Sequence, residues 1–219
     1  IQRSYLVAMF RNVNFYDICN EHLEYYSLET LQHLMYRHDL EIFDAEENAV
    51  NGGSVRVMIA HKGDREKSEN LKRLEEIELT MKLDKPETYV AFHEKITEIK
   101  NKVNKVIRDE RANGKTVLGL GASTKGNMLL QTFGISKEIL PCISERNPDK
   151  VGLKTLGTDI ELISEEAARK MKPSCMLVLP WYFKKEIVKR EKEYISAGGK
   201  LLFPMPYAHL VTKDGEINL

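Results

Sequence analysis

The second half of the chain opens with the stretch Lys115-Thr-Val-Leu-Gly-Leu-Gly-Ala-Ser-Thr-Lys-Gly-Asn127. Its apolar start, up to Leu120, predicts a buried strand, and the residues Thr124–Phe133 predict a helix. The glycines between them indicate a tight turn. A strand that turns directly into a helix is the beginning of a βαβ unit.

The same alternation continues downstream. Strands are predicted at Ile139–Ser144, Cys175–Leu179 and, as the last strand, Lys200–Phe203, with helices at Ser164–Met171 and Tyr182–Ser196. Strands separated by helices of this length imply right-handed crossovers and a parallel sheet with helices on both faces. We therefore expect residues 114–219 to form a Rossmann-like C-terminal domain of the α/β class.

The first 61 residues carry a different pattern. Ser27 is the candidate cap of a short amphipathic helix that ends near His38. Two strands are predicted at Leu40–Asp44 and Ser54–Ala60, and Asn51-Gly52-Gly53 supplies a tight connection between them. Because antiparallel pairs often finish an otherwise parallel sheet, residues 1–61 are expected to be the C-terminal part of a larger α/β domain.

Residues 62–113 are dense in mixed charge. Apolar residues recur there at steps of four and three: Phe92, Ile96, Ile99, Val103 and Val106. This period predicts one long amphipathic helix, a connector between the two domains, which ends at Asn113-Gly114. Lys and Glu are nearly balanced in it, which favours a solvated face over a binding surface.

The composition excludes several classes of protein. The chain has 219 residues, with 33 Lys+Arg against 33 Asp+Glu and 42% hydrophobic residues, which does not suit a disordered tail or a nucleic-acid-binding arm. Its three cysteines lie far apart, so we expect reduced thiols and no metal site. No apolar run reaches the roughly 20 residues of a membrane-spanning helix, and no signal peptide is recognisable. The expected protein is cytoplasmic, with no membrane partner.

The glycine turn is a candidate phosphate site. Backbone N–H groups at a helix N-terminus bind anions, and parallel sheets bind ligands at the carboxyl ends of their strands. The turn fits neither nucleotide fingerprint, because Thr124 replaces the third glycine of the dinucleotide motif and Asn127 replaces the lysine of the P-loop. Ser123, Thr124 and Lys125 still offer donors to a diphosphate. The alternative is a tight turn that needs small residues.

Two further candidates follow predicted strands. Glu145 stands where dinucleotide-binding folds place the acid that binds a ribose hydroxyl, although the segment Glu145–Lys150 also fits a polar surface turn. Trp181 either lines a cleft or packs in the core.

Titratable side chains are concentrated in Cys19-Asn-Glu-His-Leu-Glu-Tyr-Tyr-Ser27. A neutral imidazole accepts a proton near pH 7, and an adjacent carboxylate raises its basicity or fixes its tautomer. His22 is therefore the candidate base, with Glu21 beside it. The alternative is a structural or surface histidine.

Five stretches stand in a specific order along the chain: Ile18-Cys-Asn-Glu-His-Leu-Glu-Tyr-Tyr-Ser-Leu28, Asn51-Gly-Gly-Ser-Val-Arg56, Gly119-Leu-Gly-Ala-Ser-Thr-Lys-Gly-Asn127, Glu145-Arg-Asn-Pro-Asp-Lys-Val-Gly152 and Leu177-Val-Leu-Pro-Trp181. In order and spacing they resemble the S-adenosylmethionine-dependent sugar C-methyltransferase family over nearly the whole chain. The resemblance implies methyl transfer to a carbon next to a ketone in a nucleotide-linked deoxysugar. It also implies that this chain holds the end of the methyl-donor-binding domain and all of the C-terminal domain. The zinc-binding cysteines and the donor's glycine loop would then lie upstream, and the chain alone is expected to be inactive.

The resemblance also implies roles for single residues. His22 matches the base and Glu21 the carboxylate beside it, while Asn20, where the family often has His, would donate a hydrogen bond to the enolate oxygen. Cys19 stands where the family often has Tyr. The implied substrate-binding residues are Arg56, Gly119, Gly121, Ser123, Thr124, Lys125, Asn127, Glu145 and Trp181.

Two other functions stay open on the sequence. One is a dinucleotide-dependent oxidoreductase built on the Gly119 turn. The other is a non-catalytic nucleotide-sugar-binding module, which Cys19 and Asn20 would suit.

Overall fold

The computed structural model describes residues 1–19 and 22–219, and of Asn51 only the backbone. The chain divides into two compact units, Ile1–Ile96 and Thr97–Leu219. The candidate residues Asn20 and Glu21 lie outside the described residues.

The first unit contains a three-stranded sheet in the order β1-β3-β2, made of β1 (Gln2–Ser4), β2 (Leu40–Asn48) and β3 (Ser54–His61). Both neighbours of β3 are antiparallel to it, so β1 and β2 run parallel to each other. The predicted hairpin is confirmed, and β2 is longer than predicted. A register shift between Ile42 and Asp44 interrupts the apolar alternation on which the prediction relied.

Three helices pack in this unit: α1 (Leu6–Arg11), α2 (Leu28–Tyr36) and α3 (Glu69–Met81). Ser27 caps α2 as predicted: its hydroxyl accepts from the Thr30 N–H, and the Thr30 hydroxyl accepts from the Ser27 N–H. Leu28, Leu31 and Met35 of α2 are buried in the core of the unit. The predicted amphipathic face is therefore the face that packs.

The prediction of one long helix over residues 62–113 is wrong. The segment forms α3 and a second helix, α4 (Pro86–Ala112). The break lies at Lys82, which adopts a left-handed conformation with φ 50°, and Pro86 then starts α4. Proline has no N–H to donate and its ring collides with the preceding turn, so it begins a helix far better than it continues one. The predicted end is confirmed, because α4 stops before Asn113 and Gly114 has φ 70°.

The second unit is an α/β layer structure around a seven-stranded sheet in the order β10-β9-β8-β7-β4-β5-β6. The strands are β4 (Val117–Leu120), β5 (Cys142–Glu145), β6 (Glu161–Ser164), β7 (Cys175–Val178), β8 (Lys200–Phe203), β9 (His209–Thr212) and β10 (Gly215–Asn218). The first five are mutually parallel, and β9 and β10 are antiparallel additions. The predicted Rossmann-like parallel sheet is confirmed.

Two details of that prediction are wrong. Lys200–Phe203 is not the last strand, because β9 and β10 follow it, and β6 was not anticipated. All four residues of β10 are exposed, so the strand lacks the apolar run that marks a buried strand.

The helices of this unit are α5 (Thr124–Phe133), α6 (Glu165–Lys170), α7 (Lys184–Arg190) and α8 (Lys192–Ser196). The first two match their predictions closely. The single helix predicted at Tyr182–Ser196 is wrong, because Glu191 separates α7 from α8. Its buried carboxylate forms ion pairs with Arg169 and Arg190, and this tertiary contact is invisible in helical periodicity.

The strand order creates a crevice at the carboxyl end of β4. The chain leaves β4 towards β5 on one side and returns after β6 to β7 on the other side. Ligands of open α/β sheets bind at such a reversal point. The turns after β4, β5 and β7 are therefore the candidate binding region of this unit.

At the opposite end of the sheet, Glu110 of α4 is joined to β8. Its carboxylate is 2.6 Å from the Lys200 ammonium and accepts a 2.8 Å hydrogen bond from the Ser174 hydroxyl. Burial opposes the charge, but the bonds from Lys200 and Ser174 outweigh it and lower the Glu110 pKa. This ion pair fastens the end of α4 to the sheet.

We expect Lys200→Met to lower the free energy of unfolding by about 1–3 kcal/mol at pH 7, because the largely buried Glu110 carboxylate then keeps only the more distant Lys115 ammonium, at 3.9 Å. Because the folded-state pKa is depressed, the stabilisation is present above the unfolded-state value of about 4.3 and is lost as pH falls through the folded-state value. Urea unfolding at pH 7 and pH 3 measures both effects. The control Lys105→Met removes an exposed pair with Asp109 and should change stability by less than about 0.5 kcal/mol. Equal losses in the two variants would contradict the assignment.

Candidate functional site

His22 lies between a short 3-10 helix, Phe15–Asp17, and the start of α2. Its Nδ1 is 2.7 Å from the carbonyl oxygen of Asp17. A carbonyl oxygen only accepts hydrogen bonds, so Nδ1 carries the proton and the lone pair is on Nε2. The imidazole is thus held in the tautomer that a base requires.

Tyr25 shares the same carbonyl. Its hydroxyl is 3.4 Å from the Asp17 oxygen, and its ring centre is 6.5 Å from that of His22. Burial raises the Tyr25 pKa, followed by repulsion from Cys19, so the phenol stays protonated and remains a donor near neutral pH. The sequence analysis missed this residue, although it stands three positions after His22.

His22 and Tyr25 line an open cavity of about 540 Å³. The other walls come from the strand β1, from Ser54 at the start of β3 and from Tyr26. His22 itself is exposed at the rim of this cavity within its unit. A ligand in the cavity would lie beside the imidazole.

Glu78 of α3 fixes the start of α2. Its carboxylate accepts from the Leu28 N–H at 2.5 Å and from the Glu29 N–H at 3.1 Å. Burial raises the Glu78 pKa, although these two hydrogen bonds oppose the rise. The segment between His22 and Ser27 therefore runs into a helix end that a carboxylate from another element holds in place.

Arg56, a predicted substrate-binding residue, lies on β3. Its guanidinium is 2.6 Å from Glu46 on β2 and also donates to the Gln2 side chain on β1. The three residues form a cross-strand contact on an exposed face of the sheet. Glu46 already balances its charge, and the substrate-binding role of Arg56 stays a prediction.

Two glycines, one inside β4 and one directly after it, make room for neighbouring residues. A Cβ on Gly119 would lie 2.6 Å from Ile143, and a Cβ on Gly121, whose φ is 76°, would lie 2.9 Å from Pro180. Both positions exclude a larger residue because strands and turns approach closely there. This is the small-residue requirement that the sequence analysis offered as an alternative to ligand contact.

The polar residues of the glycine turn occupy the start of α5. The Ser123 hydroxyl caps the helix by accepting from the Gly126 N–H at 3.0 Å, and Thr124 is exposed. The Lys125 ammonium lies 5.4 Å from the centre of the Tyr182 ring, and Asn127 is half-buried one turn into the helix. The Lys150 ammonium also donates to the Ala122 carbonyl at 3.1 Å, so the structure brings donors and two cations together near a helix N-terminus.

Glu145 is buried rather than part of an exposed turn. Its Oε2 accepts from the Ala122 N–H at 2.7 Å, and its Oε1 accepts from the Asn147 N–H at 2.8 Å. The carboxylate therefore bridges the turns that follow β4 and β5. The ribose-binding role stays a prediction, and any ribose hydroxyl would add a further bond to an oxygen that already accepts one.

A cavity of about 390 Å³ adjoins this bridge at the carboxyl ends of β4, β5 and β7. Gly121, Glu145, Arg146, Phe183 and Arg190 are among its lining residues. The sequence analysis identified Gly121 and Glu145, which follow predicted strands. It missed the lining residues of α7, such as Arg190. Trp181 packs half-buried against the core beside this turn, as its core alternative proposed.

Comparison with known proteins identifies the family. Residues 49–206 match the family model described as the C-methyltransferase C-terminal domain. This chain belongs to that family. It is 29% identical over 218 residues to the C-methyltransferase NovU of Streptomyces niveus, a match that covers 99% of this chain and 52% of NovU. The C-methyltransferase family inferred from the five motifs is confirmed, and the chain spans about half the length of this curated relative.

Two features are absent from residues 1–19 and 22–219 of this C-methyltransferase-family chain, a group of metal ligands and a membrane-spanning helix. No group of three or more His, Cys, Asp or Glu side chains there is arranged to hold a metal ion. Among the same residues, no helix is both long enough and apolar enough to cross a membrane.

We expect Glu145→Gln to lower the free energy of unfolding by about 1–2 kcal/mol, because its amide NH2 would face one of two backbone N–H donors that now meet carboxylate oxygens. Thermal unfolding at pH 7 measures the loss. Glu166→Gln, at an exposed pair on α6, is the matched control and should leave the midpoint nearly unchanged. A midpoint for Glu145→Gln equal to that of the control would show that the bridge does not stabilise the turns.

Proposed function

We propose that this protein takes part in methylation of a carbon next to a ketone in a nucleotide-linked deoxysugar, with S-adenosylmethionine as methyl donor. Membership in the C-methyltransferase family supports carbon as the methylated atom. The similarity to NovU over half of that protein's length supports the same reaction type. The observation that carries the proposal is the His22 imidazole, whose Nδ1 is held by the Asp17 carbonyl.

A carbon next to a ketone becomes nucleophilic once it loses a proton. In the proposed step Nε2 of His22 takes that proton, and the electrons of the C–H bond move into the enolate. The resulting imidazolium keeps its Nδ1–H bond to the Asp17 carbonyl, which now stabilises a positive charge. The backbone contact therefore serves both protonation states of the base.

The enolate oxygen needs a hydrogen-bond donor. The Tyr25 phenol lines the same cavity as His22 and is held protonated by its raised pKa. We propose it as a hydrogen-bond donor in addition to Asn20. Glu21 would bind a sugar hydroxyl or orient the imidazole. Preorganised donors of this kind stabilise charge that develops in the transition state.

For the nucleotide end, we propose the start of α5. The N–H groups of its first turn, the Lys125 ammonium and the Thr124 hydroxyl are donors of the kind that binds a diphosphate. Gly121 would act by keeping this turn close to the turn after β7, and Gly119 by letting β4 pack closely against Ile143 of β5. Glu145 and Trp181, at the neighbouring strand ends, complete the proposed substrate side.

The described residues do not form a complete binding site for the methyl donor. In residues 1–19 and 22–96, no glycine-rich turn leads from a strand into a helix, which is the element that binds such cofactors. In the second unit, the turn after β4 is the one that we propose for the nucleotide of the substrate. We therefore propose S-adenosylmethionine from the family alone and assign no residue of this chain to it.

The domain assignment is part of the proposal. Residues 1–61 would be the C-terminal part of a methyltransferase domain, 62–113 a helical connector and 114–219 the Rossmann-like domain. The first sheet supports this, because β3 lies antiparallel between two parallel strands, as in a mixed sheet that ends with an inserted strand.

In the full-length protein we expect His22→Ala to keep substrate binding and to slow the chemical step by about 10²–10⁴-fold, the usual contribution of a general base. The assay follows exchange of the sugar α-proton in D₂O and methyl transfer from the added donor. His33→Ala, an exposed histidine on α2, is the matched control and should behave as the unaltered protein. Near-normal turnover in His22→Ala would end the base assignment.

The oxidoreductase alternative predicts a different ligand. We expect calorimetric titration with a nucleoside diphosphate sugar to give saturable binding and titration with NAD to give none, because the glycine turn lacks the third glycine of the dinucleotide motif. Tight, saturable NAD binding would favour the oxidoreductase instead. Sugar binding without α-proton exchange would favour the non-catalytic module.

A further inference from the structure

The turn that precedes His22 contains a strained residue. Val13 is buried and has φ 54°, in the left-handed region. A β-branched side chain avoids this conformation, and residues are kept there only when the surrounding contacts enforce it. Contacts around Val13 therefore hold this conformation, and they also position the groups that follow it in the turn.

Asn14, the next residue, supplies those contacts. It is almost completely buried, and its amide nitrogen donates to the Gly52 carbonyl at 2.9 Å. Its amide oxygen accepts from the Tyr16 hydroxyl at 3.0 Å. The Asn12 side chain donates to the same Gly52 oxygen at 3.0 Å. One carbonyl of the connection between β2 and β3 thus anchors two side chains of the turn, in addition to the turn's own backbone hydrogen bonds.

Gly52 is suited to this contact. Its φ is 94°, and a Cβ there would lie 3.0 Å from the amide nitrogen of Asn14. Any other residue would be strained and would push against the amide. This explains on physical grounds why glycine follows Asn51 in the second of the five motifs.

The turn ends at the group that holds the candidate base. Tyr16 is fully buried in the middle of the 3-10 helix Phe15–Asp17, and the carbonyl of its last residue, Asp17, faces His22 Nδ1 at 2.7 Å. A continuous series of hydrogen bonds therefore runs from Gly52 through Asn14 and Tyr16 to the element that carries the Asp17 oxygen.

We propose that Asn14 and Tyr16 are positioning residues for His22: they hold the Asp17 carbonyl where it fixes the imidazole as the Nδ1–H tautomer. The proposal rests on the proposed function, in which His22 is the base. Neither residue lines the His22 cavity, so both act through the backbone of the turn. Losing the carbonyl contact would free Nδ1 and allow the proton to move to Nε2, which removes the base.

The first test measures the tautomer and needs no turnover. Nitrogen-15 NMR of the full-length protein reports the ratio of Nδ1–H to Nε2–H forms of His22. We expect Nδ1–H to dominate in the unaltered protein and the ratio to fall at least threefold in Tyr16→Phe. Asn14→Ser, which cannot reach the Gly52 carbonyl, serves as the second variant and should shift the ratio in the same direction.

The second test separates positioning from stability. Tyr194→Phe is the matched control, because it also removes a buried hydroxyl bond, to the Pro173 carbonyl, in the other unit. We expect kcat about tenfold lower in Tyr16→Phe with KM within twofold, and both constants within twofold in Tyr194→Phe.

The outcomes distinguish failure of the positioning role from failure of the base assignment. An unchanged tautomer ratio in the folded Tyr16→Phe and Asn14→Ser variants overturns the positioning role. An equal loss of kcat in Tyr194→Phe also overturns it, because stability alone would then explain the effect. If His22→Ala turns over normally, the proposed base falls, while a shifted tautomer ratio still supports the positioning of the ring.

Discussion

The turns at the carboxyl ends of β4, β5 and β7 approach closely, and this constraint determines which residues the candidate binding region of the second unit can contain. It requires a bare backbone at Gly121, where Pro180 fills the space of a side chain, and Gly119, inside β4, leaves the same room for Ile143 of β5. It also requires the Glu145 carboxylate, which satisfies N–H groups of two turns that face each other. Without the carboxylate, the N–H groups of Ala122 and Asn147 would lose these partners, so the glycines and the carboxylate act together.

In the first unit, too, a hydrogen bond between a side chain and the backbone fixes a candidate site residue, here a histidine. The Asp17 carbonyl is an ordinary backbone group, yet its placement decides which nitrogen of His22 carries the proton. The buried contacts of Asn14 with Gly52 and Tyr16 hold that placement against the strain at Val13. The proposed site would therefore depend on residues that do not line its cavity.

Local patterns predicted the elements whose signals are local. The Ser27 cap, the turn before α5 and the apolar strands β4, β7 and β8 follow from propensity and periodicity. Pro86 is a local signal for the start of α4, but the continuous charge pattern on both sides of the break at Lys82 obscured it. The split between α7 and α8 was not readable, because it follows from ion pairs of Glu191 with residues of two helices.

For the site, the sequence by itself determined which chemical groups are present: the imidazole of His22, the glycines after β4 and the acid at the end of β5. Only the tertiary structure decided what each group contacts. It places Arg56 against Glu46, brings the Glu145 oxygens to two turns and brings the Asp17 carbonyl to His22. The reason is that side-chain chemistry is a property of the residue, whereas protonation, charge balance and hydrogen bonding depend on partners distant along the chain or supplied by its backbone.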